Sequence, residues 1–486
     1  MDFFANLESL ISSQQPSHPS AAAVLADLGS PSVSIALLDH GSVTSHCIST
    51  ISDNTETLFQ ACSISKPIAG LATMRLIQAG RLQLDSKIVD LLPEHVISIL
   101  GTEQTRELLT EITVTHLLSH TSGLNISHFS GYTRNAPDLA TVLSGTAPAN
   151  TVQVKIQGFP GYALSYSGGG MVALQLVLEA VTGKAFPALV KELVFDPLGM
   201  TRSYYSFPEQ EKNVAKAYLT GYSPCDVPWH DIPEMAAAGL WTTPTDLLKA
   251  VRGIQASLKG DGDEVLEKHI AEEMLKEVKG TMALTWIVPH EGTAFVHAGE
   301  NDPGWRCFVM GYADLKGGNG GNGMEKRAWD DCGICIMTNS AAGFTVWAKV
   351  FHAITYLKGW ASLPNVIGGG PLGKIPFCVR GVEIDERWTE WKGCWLDDKA
   401  EFVLESNEEN EPVLRFGDIM TTKILPAAMP SIEFAGHGKS IELVLAGLEM
   451  MIRLGWKDGN RGIELWYDGV PPKLAHLSSL DGGTSI

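Results

Sequence analysis

Ser63-Ile-Ser-Lys66-Pro-Ile-Ala-Gly-Leu-Ala-Thr-Met-Arg-Leu-Ile-Gln-Ala-Gly80 is the stretch whose reading decides the fold. Apolar side chains at Ile68, Leu71, Met74 and Leu76-Ile77 recur with helical period, and Gly80 ends the pattern. Pro67 is tolerated only in a first turn, where its missing N–H costs nothing. A helix is therefore predicted to begin at the Ser63-x-x-Lys66 motif. One turn of that helix carries the Lys66 amine to the Ser63 hydroxyl, and the helix dipole favours negative charge developing there. A serine is a poor nucleophile until a base takes its proton, and a desolvated lysine can do so. The motif occurs once in the chain, although background composition yields roughly two at this length by chance. On its own it reads better as a capping serine and a surface lysine.

Upstream, Ser32 to Leu38 and Val43 to Ser49 are strand-like runs around Asp39-His40-Gly41, a hairpin signal. Downstream, helical patterns dominate from Ser65 to Leu258, broken by loops such as Asn125 to Asn150. Strand character returns at Ala283 to Val288, Ala294 to His297, Arg306 to Tyr312 and Gly333 to Thr338, and a helix follows over Phe344 to Lys358. Strands at both ends with helices between predict an α+β domain, an antiparallel sheet flanked by helices. Leu315 to Met324, with its Gly/Asn repeat, reads as a mobile insertion, and Gly368 to Pro376 as a linker. Beyond it, short alternating runs at Glu401 to Glu405, Ser440 to Leu445 and Gly462 to Tyr467 carry interspersed tryptophans (Trp388, Trp391, Trp395, Trp456, Trp466). That texture predicts a C-terminal all-β barrel. The expected domains are 1–367 (catalytic), 368–380 (linker) and 381–486 (barrel).

Of 486 residues, 44% are hydrophobic and 19% charged, the balance of a folded globular chain. A net charge of −19 repels phosphate backbones and anionic lipid, which excludes nucleic acid and membrane surfaces as partners. No apolar run reaches the roughly 20 residues of a membrane helix, and Met1 to Pro19 lacks a basic and then apolar leader pattern. A cytoplasmic location is expected. The eight cysteines are scattered and read as reduced thiols, with Cys332-Gly-Ile-Cys335 as core residues of a strand.

Four further segments supply context for the Ser-x-x-Lys motif. Ile112-Thr-Val-Thr-His-Leu-Leu-Ser-His-Thr-Ser-Gly-Leu124, Pro160-Gly-Tyr-Ala-Leu-Ser-Tyr166-Ser-Gly168, Phe195-Asp-Pro-Leu-Gly-Met200 and Ala237-Ala-Gly-Leu-Trp-Thr-Thr-Pro-Thr-Asp246 follow it in order. Together they resemble the serine β-lactamase/penicillin-binding-protein superfamily, including class C β-lactamase-like esterases, D-aminopeptidases and acyltransferases. The resemblance covers residues 25 to 360. It implies the β-lactamase/transpeptidase-like fold, here followed by a lipocalin-like barrel.

It also implies roles. Ser63 would be the nucleophile and Lys66 its partner. Tyr166 would be the phenol, with a pKa lowered by the nearby ammonium, that moves the serine proton to the leaving group. Two His-x-Gly tripeptides, His290-Glu-Gly292 and His297-Ala-Gly299, compete for the third motif. His297 is preferred because it ends the apolar run Phe295-Val296. The oxyanion hole would use the backbone N–H groups of Ser63 and Glu300, with Gly168, Gly299 and Trp305 on the substrate side. His116 and His120, though spaced like zinc ligands, belong to the marker segment and read as structural.

Two departures matter. His297 stands where penicillin-handling members carry a lysine, and Gly168 stands where they carry an asparagine. Both point away from β-lactams and toward a serine hydrolase of esters or amides acting through a covalent acyl-enzyme. The alternatives are an acyltransferase or peptide cyclase of secondary metabolism, and a non-catalytic scaffold or filament protein. The expected partner is a small-molecule ester, amide or thioester, with no metal or organic cofactor.

Overall fold

The computed structural model describes residues 2–207, 209–260, 265–289, 292–315, 331–361, 374–396, 401–417, 419–434, 436–457, 459–467 and 470–477. They fall into two compact units, Leu25–Trp347 on the one hand, and Met1–Val24 with Ala348–Ile486 on the other. The Gly/Asn repeat and most of the Gly/Pro stretch lie outside the described residues. So do His290 and Glu291 of the rival tripeptide.

The first unit is built on a five-stranded antiparallel sheet. Its strands are β1 (Ser32–Asp39), β2 (Ser42–Ser49), β3 (Ala294–Asn301), β4 (Trp305–Tyr312) and β5 (Gly333–Thr338), in the order β2-β1-β5-β4-β3. The inner strands β1 and β5 are buried almost throughout, as their continuous apolar runs require, whereas β2 is partly exposed. The hairpin turns at Asp39-His40-Gly41 as expected, with Ser32 opposite Ser49. β3 is the edge opposite β2, three places along the order from β1, and its outer side is bridged at Val296 by Ile287.

Helix α4 (Pro244–Lys259) lies across β1, β5 and β4. It is capped by Thr243, which accepts the Asp246 N–H, and ended by Gly260 in the left-handed region. Helix α2 (Ser65–Gln78) starts at the motif as predicted and is buried along most of its length. Helix α3 (Gly168–Thr182) is capped by Ser167 and ended by Gly183.

One expected strand is absent. Residues 283 to 288 form turns, with Thr285 at φ 68° and the Ala283 N–H bonded to the Trp286 carbonyl. The Leu284 N–H bonds to Met274 and the Thr285 N–H to Leu118, and only Ile287 makes a bridge to a strand, exchanging both backbone bonds with Val296 of β3. A buried irregular segment needs the same apolar residues as a buried strand, so the run could not distinguish them.

In the second unit eight antiparallel strands close into a barrel: β6 (Gly393–Leu396), β7 (Glu401–Ser406), β8 (Pro412–Phe416), β9 (Met420–Pro426), β10 (Ile441–Leu445), β11 (Met450–Lys457), β12 (Asn460–Tyr467) and β13 (Val470–Leu477). Neighbours in sequence are neighbours in the sheet, and β13 closes it on β6. Trp388, Trp391 and Trp395 fill the interior, and the Trp395 Nε1–H donates to the Trp391 carbonyl at 2.7 Å. Trp466 belongs to a separate cluster with Ile375, Met429 and Met451.

The N-terminal helix α1 (Phe3–Ser12) belongs to this unit. Just after it, the Gln14 side chain pairs with both backbone groups of Cys378 at 2.6 and 3.0 Å. Helix α5 (Gly343–Lys358) carries the chain from one unit to the other. Among the described residues no single helix is long and apolar enough to cross a membrane.

Candidate active site

Ser63 sits in a short 3₁₀ turn, Cys62–Ile64, that runs directly into α2. Cys62 adopts φ 53°, a conformation that costs a non-glycine residue energy and turns the serine out of the chain direction. The turn is tied down by Ser65, whose hydroxyl donates to the Cys62 carbonyl at 2.6 Å and accepts the Leu240 N–H at 3.0 Å. Lys66 Nζ lies 3.0 Å from Ser63 Oγ and donates to the Ala237 carbonyl at 2.7 Å. Burial strips the ammonium of water and lowers the Lys66 pKa to about 7. A large share of the amine is then neutral at physiological pH and able to accept the serine proton.

Tyr166 lies beside this pair, with Lys66 Nζ 4.8 Å from its ring centroid. Here the expectation fails in sign. Burial raises the phenol pKa above its ordinary value, opposed only in part by the Ser63 hydroxyl. Desolvation penalises a phenolate more than a half-neutral lysine can compensate. Tyr166 therefore stays protonated and can relay a proton, and Lys66 is the group free to act as base near neutral pH.

His297 lies on the edge strand β3, buried, with its ring centroid 6.3 Å from that of Tyr166. Burial and the nearby Lys66 push its pKa down to about 3, so the imidazole is neutral. Its Nδ1 bonds to the Ala298 carbonyl at 2.6 Å, which places the proton on Nδ1. The buried Nε2, an acceptor in that tautomer, has no partner among the described residues.

The other four expected residues separate. Glu300 follows the tripeptide on β3, and its side chain is 61% exposed and paired with Arg306 at 3.2 Å. An acid there is tolerable because it points to solvent. A Cβ on Gly299 would come within 2.6 Å of Cys307 Sγ, 2.7 Å of the Ala61 carbonyl and 2.8 Å of Cys62 Cβ. This glycine lets the edge strand approach the nucleophile turn. Gly168 and Trp305 correct the expectation of substrate contact. A Cβ on Gly168 would meet the Phe129 ring at 2.9 Å, so packing requires the missing side chain. Trp305 is fully buried, edge-on to Phe59 and Trp241 at 6.2 and 5.6 Å. It belongs to the core beneath the turn.

One residue read as structural lies within the cluster. His120 is fully buried, and its ring is 4.4 Å from that of Tyr166. His116 stays outside, its Nδ1 accepting the Thr113 N–H in a helix cap. Elsewhere, Asp39, His40 and Cys332 bring three ligand-type atoms within 4.8 Å of one another at the β1–β2 turn. There His40 Nδ1 bonds to Asp39 at 2.7 Å. Cys332, just before β5, and Cys335 within it are both buried, as expected of core thiols.

A motif serine lies beside a desolvated lysine, flanked by a half-buried tyrosine and faced by an edge strand. The family model described as Beta-lactamase matches residues 21–353.

The chain belongs to the beta-lactamase family.

Penicillin-binding protein 4 of Amycolatopsis lactamdurans is 26% identical over 326 residues, covering 64% of this chain and 80% of that protein. Esterase EstB of Burkholderia gladioli is 30% identical over 267 residues, 51% of this chain and 65% of the esterase. The octameric penicillin-binding protein homologue of Pyrococcus abyssi superposes with a TM-score of 0.54 at 18% identity, covering 98% of this chain and 100% of that one. At that identity the likeness is one of fold. It extends over the C-terminal unit as well as the beta-lactamase family domain.

Proposed function

We propose that this protein is a serine hydrolase of small esters or amides, working through a covalent acyl-enzyme on Ser63. One observation carries the reading: the desolvated Lys66 amine lies 3.0 Å from the Ser63 hydroxyl. Neutral Lys66 takes the serine proton as Oγ attacks the substrate carbonyl. Tyr166, protonated and adjacent, passes a proton to the leaving group. The backbone N–H groups of Ser63, in the turn that opens α2, and of Glu300, on the edge strand, are the donors for the tetrahedral oxyanion. Water, activated by the same Lys66–Tyr166 pair, then releases the acyl group.

The substrate is weakly charged, because neutral His297 supplies no fixed cation at the third motif. The relatives include an esterase, which favours this over β-lactam work. Transfer to an alcohol or amine uses the same acyl-enzyme and is the alternative outcome. All eight cysteines are free thiols, which supports the reducing cytoplasm as the place of action.

A fluorophosphonate probe should label Ser63, as read by peptide mass mapping, and Ser63→Ala should lose both labelling and turnover. Short-chain activated esters should turn over faster than penicillins. Mapping of the adduct elsewhere, or faster β-lactam hydrolysis, contradicts the reading.

A further inference from the structure

The segment that delivers Tyr166 has little hold on itself. Residues 161 to 165 are exposed, and Phe159 and Tyr162 remain 68% and 75% open to solvent. A catalytic phenol at the end of such a loop needs an outside anchor, since a misplacement of about 1 Å can cost on the order of a hundredfold in rate.

His120 is built to be that anchor. Its carbonyl accepts the Ser165 N–H at 2.9 Å, and its ring Nδ1 accepts the Ser167 N–H at 3.2 Å. These are the N–H groups of the two residues that flank Tyr166. Between them, the imidazole lies against the phenol ring, with centroids 4.4 Å apart and planes tilted by 39°. Both of its groups can face one loop because His120 adopts φ 57°, the left-handed region that a β-branched residue avoids. The next residue adds a third tie, the Thr121 carbonyl accepting the Gly161 N–H at 2.7 Å. Nδ1 can accept only in the neutral ring. Burial, Lys66 and His297 all hold the His120 pKa well below its ordinary value, so the clamp persists across the physiological range.

We propose that His120 is the positioning residue of the proton relay, clamping the backbone on both sides of Tyr166 and fixing its ring against Lys66 and Ser63. The proposal rests on Tyr166 acting in the reaction, and its test separates the two. The experiment measures kcat and KM on an activated short-chain ester for the full chain carrying His120→Ala, His120→Asn or Tyr166→Phe, and for each His120 variant combined with Tyr166→Phe. Circular dichroism melting is recorded alongside. Asparagine tolerates the left-handed backbone and offers Oδ1 as an acceptor, but lacks the ring.

Acting through Tyr166, His120→Ala should lower kcat by about a hundredfold with KM nearly unchanged. His120→Asn should recover about tenfold of that loss. On the Tyr166→Phe background either substitution should cost less than about threefold, since the group being positioned is gone. Equal losses in both backgrounds would make His120 a merely structural residue and overturn the proposal. If His120→Ala does not fold, the same comparison with His120→Asn decides. A Tyr166→Phe enzyme at the unsubstituted rate would remove the relay itself, and His120's role with it.

Discussion

At the residue scale, the low pKa of Lys66 sets the pH behaviour. Below about 7 the amine is protonated and cannot take the serine proton, and above it the neutral fraction saturates. Log kcat/KM for an activated ester should therefore rise with unit slope up to about pH 7 and then level off. Lys66→Arg should abolish turnover, because a guanidinium cannot lose its proton in this range. His297 is already neutral over the whole window, its pKa near 3. A His297→Asn enzyme should thus be slower yet keep the same midpoint. A midpoint that moved by a full unit would mean that a histidine, and not the lysine, was being titrated.

The meeting of Lys66 with Ser63 was legible in a one-turn helical spacing, and Tyr166 joined them only through the resemblance of its segment. The sign of the Tyr166 shift was not, because burial is a property of the surroundings and leaves no mark in a local spacing. His120 was visible as a motif residue, but its task depends on a loop 45 residues downstream that only the tertiary fold brings to it.

At the element scale, the close meeting of β3 with the nucleophile turn is the decisive contact. Gly299→Ala would push a methyl into the Ala61 carbonyl and Cys62, and backbone cannot move aside as a side-chain tip can. Overpacking of this kind typically costs about 1–3 kcal/mol. The variant should show that loss in urea unfolding, together with a fall in kcat well beyond what the lost stability explains. Wild-type kcat in Gly299→Ala would show that β3 does not set the site.

The hairpin, β4, β5 and the helix over 343–358 were readable because turn residues and period agree at each. The run at 283–288 was not, since its side chains, all apolar but Thr285, would be buried whichever shape the backbone takes. The position of β3 at the sheet edge, and so beside Ser63, follows from strand order, which no periodicity records.

For the whole molecule, the barrel has its own core, and Trp395 is a fully buried part of it. Trp395→Ala should destabilise that unit by about 3–5 kcal/mol. Calorimetry should show one transition moving down while fluorophosphonate labelling of Ser63 at 25 °C is retained. The barrel was legible from its alternating runs and turns. The allegiance of residues 1–24 was not, because a short amphipathic helix carries an apolar face without naming what will cover it.

That allegiance has a consequence for biosynthesis. The beta-lactamase family unit lies in sequence between two pieces of the other unit, so a ribosome emits α1 before the catalytic sheet and the barrel after it. β1 finds its central partner only when β5, at 333–338, has emerged, but by then the entire catalytic unit is available. The barrel cannot close until β13 reaches β6, after every strand of the catalytic sheet has emerged. Helix α1, made before the catalytic sheet, must wait through its synthesis for companions that follow it, with Phe4, Leu7, Leu10 and Ile11 uncovered meanwhile.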